Sequence, residues 1–128
     1  MKIKLTSVLV DDQAKALAFY TEKLGFLKKN DIPMGPYRWL TVVSPSEPDG
    51  AEVVLEPMAH AFSKTYQREL YSAGIPLTAF FVEDLASEFT RLKALGVVFA
   101  NEPMSIPGGP TVAKIDDTCG NFLQLVQV

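Results

Sequence analysis

Apolar and polar positions switch between two periods along this chain. Residues 3–10, IKLTSVLV, are rich in β-branched and aliphatic side chains and read as a strand. Asp11 and Asp12 then offer a helix N-cap. Leu17, Tyr20 and Leu24 follow at helical spacing, and Gly25 stands where a helix stops. Residues 38–44 read as a strand, and the turn-rich SPSEPDG closes a hairpin into a strand over 51–56. Phe62, Tyr66 and Leu70, with Gly74 behind them, predict a short helix over 61–73. Residues 77–83, LTAFFVE, read as a buried strand. Asp84 caps a second long helix, with Leu85, Phe89 and Leu92 as its apolar stripe and Gly96 as its stop. A short strand over 97–99, a turn-rich loop over 101–110 and strands over 111–116 and 121–127 complete the chain, the last two joined by a tight turn at Asp117–Asn121.

The order β-α-β-β occurs twice. LTSVLVDDQA (5–14) set on LTAFFVEDLA (77–86) matches at Leu5/Leu77, Thr6/Thr78, Val10/Val82, Asp12/Asp84 and Ala14/Ala86, an offset of 72. After a one-residue slip, Leu24-Gly25 falls on Leu95-Gly96. The pattern predicts an α+β fold of two tandem βαββ modules, over 3–56 and 77–127, with a connector over 57–76. The length of 128 residues predicts one domain spanning 1–128.

Composition removes several classes of function. Apolar residues make up 48% and charged residues 21%, the balance of a folded globular protein. A net charge of −3 with no basic cluster gives no footprint for nucleic acid. No apolar run approaches the ~18 residues of a membrane span. Met1-Lys2-Ile3-Lys4 leads into the first strand without an apolar signal segment, so a cytoplasmic location is expected. The single cysteine, Cys119, excludes an internal disulfide and a multi-cysteine zinc site; its place in a turn suggests an exposed, incidental residue. The single histidine, His60, excludes a two-histidine metal site within one chain. Phosphate-loop, dinucleotide, zinc-protease and serine-hydrolase signatures do not occur.

The segment FYTEKLGF (19–26) and the ending DDTCGNFLQLVQ (116–127), on two βαββ modules, resemble the vicinal oxygen chelate superfamily of glyoxalases, bleomycin-resistance proteins and extradiol dioxygenases. The resemblance covers residues 3–127. It implies a curled eight-stranded mixed sheet around a cleft, a homodimer and a small-molecule ligand. It also implies metal-ligand positions on the first and last strands of each module, which here read Leu5, Glu56, Leu77 and Gln124. Two leucines cannot ligate, so no resident metal or other cofactor is expected. A divalent ion held weakly by Glu56, Gln124, waters and substrate stays open.

Glu56 ends the apolar run VVLE and is the leading candidate. A carboxylate beside Leu5 and Leu77 would be partly desolvated, the condition for a base near neutral pH. Gln124 would orient Glu56 or a ligand. Trp39 and Tyr66 are candidate stacking walls, although aromatic residues more commonly fill cores. His60 lies four residues after Glu56, beyond Pro57, and would reach the site only through a chain reversal. Two functions are therefore expected. One is metal-free binding of a small molecule through Glu56, Gln124, Leu5, Leu77, Trp39 and Tyr66. The other is a glyoxalase-type lyase or isomerase with Glu56 as base and a weakly held metal.

Overall fold

The computed structural model describes residues 1–128 as two compact units, Met1–Thr65 and Tyr66–Val128. The boundary falls inside the segment expected as a connector.

In the first unit, β1 (Leu5–Leu9) leads into helix α1 (Gln13–Ala18). The Asp12 carboxylate caps that helix by accepting from the Lys15 N–H at 2.9 Å. The helix continues as a π-helical turn over Phe19–Lys23 and ends at Gly25, whose φ is +88°. A π-turn holds one residue more than the α-helix it interrupts. This accounts for the one-residue slip between the repeats, since the matching helix of the second unit has no such turn.

Strands β2 (Leu27–Met34), β3 (Tyr37–Val43) and β4 (Glu52–Glu56) follow, and the sheet order is β1-β4-β3-β2. β1 and β4 are parallel; the other two pairings are antiparallel. Val8, Val10, Leu40, Val42 and Leu55 are buried on the face toward Ala16, Phe19 and Tyr20. Tyr20 is wholly buried, edge-on to Phe19 at 5.6 Å and stacked with Phe26 at 6.5 Å.

Strand β2 is absent from the sequence reading. Its polar run Lys28-Lys29-Asn30-Asp31 hides the alternation because a bulge at Lys29 shifts the register by one residue. Pro33 also argues against a strand, but β2 lies at the sheet edge, where a missing N–H is tolerated. A usable signal was present. Ile32, Met34, Tyr37 and Trp39 alternate on either side of Gly35-Pro36, and Gly35 takes φ +60° in the two-residue turn.

Helix α2 (Ala61–Ser72) runs from the first unit into the second. There β5 (Thr78–Phe81) leads into α3 (Leu85–Ala94), capped by Asp84, which accepts from the Ser87 N–H at 3.1 Å. The Ser87 hydroxyl and backbone amide hold the Asp84 carboxyl below its ordinary titration range. β6 (Met104–Ser105), β7 (Thr111–Asp116) and β8 (Phe122–Gln127) complete a sheet of order β5-β8-β7-β6, the same topology as the first. Two elements differ from expectation. The strand expected over 97–99 reduces to a bridge between Phe99 and Ile115, and the expected loop over 101–110 contains β6.

The β7–β8 turn is buried. Asp117 is inaccessible to solvent, and its carboxylate accepts from the N–H groups of Cys119 and Asn121 and from the Asn121 side chain. Cys119 is buried as well, which corrects the expectation of an exposed thiol. The turn is drawn inward because Gln67 of α2 donates to the Cys119 carbonyl at 3.1 Å and to Asn121 Oδ1 at 3.0 Å. No helix in the structure is long and apolar enough to cross a membrane.

Candidate functional site

In the first unit, α1 covers one face of the sheet. The other face carries Leu5, Ser7 and Leu9 from β1, Glu52, Val54 and Glu56 from β4, and Trp39, Thr41 and Val43 from β3. Its middle is buried at Thr41, Val43 and Val54. Thr41 donates to Glu52 Oε1 at 2.8 Å, and the Asn30 side chain donates to both, at 3.1 and 2.9 Å. These bonds satisfy the polar groups that burial would otherwise leave unpaired.

The far end of the same face is open. Ile32 and Met34 are about half exposed there (52 and 58%), and Trp39 is half-buried opposite Ile32, whereas Leu5 (48%) stands at the other end of β1, opposite Glu52. Trp39 and Glu56 each lie two residues beyond the last β3–β4 pair, Thr41–Val54, so both project to this face. Past that pair the strands part. The Gln13 side chain takes over the ladder there, donating to the carbonyls of Arg38 and Leu55 at 2.7 and 2.9 Å and accepting from Arg38 N–H at 2.9 Å. Glu56 is half-buried and accepts from the Ser7 hydroxyl at 3.2 Å. Arg38, next to Trp39 in the strand, holds Asp31 through two bonds of 2.9 and 2.7 Å. That bidentate contact pulls the Asp31 carboxyl below its ordinary range and raises Arg38.

The remaining candidates are placed as follows. Leu77 and Gln124 are half-buried in the second unit. Gln124 pairs with Ala79 and Lys114, on the sheet face opposite that of buried Leu123 and Leu125. Tyr66 is exposed on α2. His60 is exposed and stacks on Phe62 at 4.8 Å, while its carbonyl accepts from the Ser63 and Lys64 N–H groups at the start of α2. The structure thus places Glu56 and Trp39 at one end of the same sheet face, with Leu5 four residues away along the β1–β4 ladder, and it leaves His60 on a separate stretch of chain before α2. Sequence reasoning missed Ser7, which is unremarkable until register sets it beside β4. It also missed Ile32 and Met34, which belong to the unread strand.

Strand register also allows the two units to be matched position by position. Leu5 stands opposite Glu52, and Leu77 N–H donates to the Phe122 carbonyl. Two residues further on, Val54 in the first unit occupies the place of Gln124 in the second. Glu56 lies two residues beyond that place. The matched set is therefore Leu5, Val54, Leu77 and Gln124, which supplies three hydrocarbon side chains and one carboxamide. This donor set does not fit a His/Glu metal centre. No three His, Cys, Asp or Glu side chains are grouped so as to hold a metal ion.

The repeated topology, the Asp12 and Asp84 caps and the paired glycine stops have their counterpart in known proteins. The Glyoxalase/Bleomycin resistance protein/Dioxygenase superfamily matches residues 2–125. This chain belongs to that superfamily. Within the superfamily's reach, the uncharacterized protein YurT of Bacillus subtilis (strain 168) is 54% identical over 127 residues, covering 99% of both chains. The crystal structure of UcmS2 is 32% identical with a TM-score of 0.81, covering 100% of this chain and 98% of that one. TnmS3, an antibiotic binding protein from Streptomyces sp. CB03234, is 27% identical with a TM-score of 0.77, covering 99% and 95%.

Proposed function

We propose that this member of the superfamily binds a small aromatic, cationic molecule without a metal, on the open sheet face of its first unit. The observation that carries this reading is that Trp39, Ile32 and Met34 lie toward the end of the sheet face that bears the Ser7–Glu56 pair. The aromatic and aliphatic side chains offer a stacking wall and apolar area. Glu56 offers one fixed negative charge, and its bond from Ser7 orients the carboxylate while leaving acceptor positions open. Kinship with an antibiotic binding protein supports a role in ligand capture. The hydrocarbon side chains at the metal positions weigh against the metal-assisted lyase alternative.

Trp39 is the only tryptophan and reports on this face directly. Untagged protein treated with a chelator, titrated with planar aromatic antibiotics, is expected to show saturable quenching of Trp39 fluorescence. Glu56→Gln should weaken cationic ligands by about tenfold and leave neutral ones unchanged. Quenching that requires an added divalent ion, or near-stoichiometric metal by elemental analysis that Glu56→Ala abolishes, would overturn the reading in favour of the lyase.

A further inference from the structure

A second concavity lies in the first unit, on a different set of residues. It occupies about 380 Å³ where the start of α1, the β2–β3 turn, the chain after β4 and the start of α2 meet. That volume is within the range of small-molecule pockets. Tyr37, Pro36, Pro57 and Met58 give it apolar and aromatic walls. Two cations line it. Lys64 has no carboxylate partner, and its three ammonium N–H groups are free to donate. Arg38 spends one edge of its guanidinium on Asp31, through Nε and one Nη, leaving the other Nη without a protein acceptor. Asp11 is the only acidic lining residue, and Lys15 already engages it at 2.9 Å.

We propose that this pocket binds a small aromatic monocarboxylate, independently of the sheet face bearing Glu56. Lys64 and Arg38 both line the pocket with unengaged donors, and charge-assisted bonds from such donors to a carboxylate are the strong ones. Pro36, Pro57 and the Met58 thioether suit an aromatic body. Asp11, the one carboxylate lining the pocket, disfavours a second negative charge on the ligand. The two faces therefore select opposite charges: cations at Glu56, anions here.

The test is a titration of ¹⁵N-labelled protein with 2-naphthoate, followed by amide shifts. Controls are neutral 2-naphthalenemethanol and the dianionic 2-naphthyl phosphate. Saturable shifts are expected at Gln13, Ala14, Tyr37 and Met58, with affinity falling as salt rises. Lys64→Ala should weaken naphthoate by about tenfold, while Glu56→Gln keeps it. Lys64 is exposed, so its replacement leaves the fold intact, which the unshifted remainder of the spectrum checks. Equal binding of the alcohol, tighter binding of the phosphate, shifts centred on Trp39, or no saturation at millimolar naphthoate would each overturn the proposal.

Discussion

Gly120 shows how much a single position carries. Its φ is +98°, and a Cβ placed there would stand 2.5 Å from Gln67 Oε1. Any side chain thus meets both backbone strain and the carboxamide that ties α2 to the β7–β8 turn. Gly120→Ala is expected to destabilise the protein by about 2 kcal/mol in urea unfolding. Adding Gln67→Ala should remove the clash but not the strain, so the double variant would still be less stable than Gln67→Ala alone. The glycine was visible in sequence as a turn residue. The side chain that packs against it, 53 positions away, was not.

Among the elements, α2 is held to the second unit by side chains rather than by an apolar stripe alone. Tyr71 donates to Asp116 Oδ2 at 2.5 Å and stacks on Phe122 with ring centroids 4.3 Å apart. The hydrogen bond to the Asp116 carboxylate is the main cause that pushes the Tyr71 phenol above its ordinary value of 10.0, with burial and the carboxylate's charge adding to it. The folded chain therefore favours the protonated phenol. The contribution is fully present below pH 10.0 and is lost as pH rises through the raised folded value. Absorbance titration of the tyrosines is expected to show a late-ionising group that Asp116→Asn moves to lower pH. Stability of the natural protein should fall above pH 10.0 more steeply than that of Tyr71→Phe. The helix itself was legible from the spacing of Phe62, Tyr66 and Leu70. Yet Phe62 and Tyr66 are exposed, and the buried positions are Ser63 and Gln67. The periodicity was right about the element and wrong about which face turns inward, because hydrogen-bonded polar groups took that face.

For the whole molecule, family membership rests on matched residues and repeated topology, whereas reaction and ligand depend on a few side chains grafted onto that frame. Exposed apolar residues along the β2 edge and the first-unit sheet face, Leu27, Ile32 and Met34 among them, suit a self-association like that which the resemblance implies. We accordingly expect light scattering to give twice the mass of one chain at micromolar concentration. Substitution of Ile32 by Lys should shift the mass toward the monomer without lowering the helix content seen by circular dichroism. A monomeric mass for the unaltered protein would overturn the self-association.

What the amino-acid sequence determined by itself was whatever depends on short-range patterning. Asp12 and Asp84 cap their helices, Gly25 and Gly96 end them with φ of +88° and +84°, and alternation marks β1, β3, β4, β7 and β8. The doubled module followed from those signals, and the absence of a second histidine was a matter of counting. Tertiary structure alone decided what depends on register and long-range pairing. It uncovered β2 behind a bulge and an edge proline, and it set Val54 rather than Glu56 in the place matching Gln124. It placed Ser7 on Glu56 and drew Cys119 inside. The physical reason is that a strand's side chains change face at every residue, so one inserted residue reverses every later assignment. Nothing local to the sequence records that insertion; only the partner strand does.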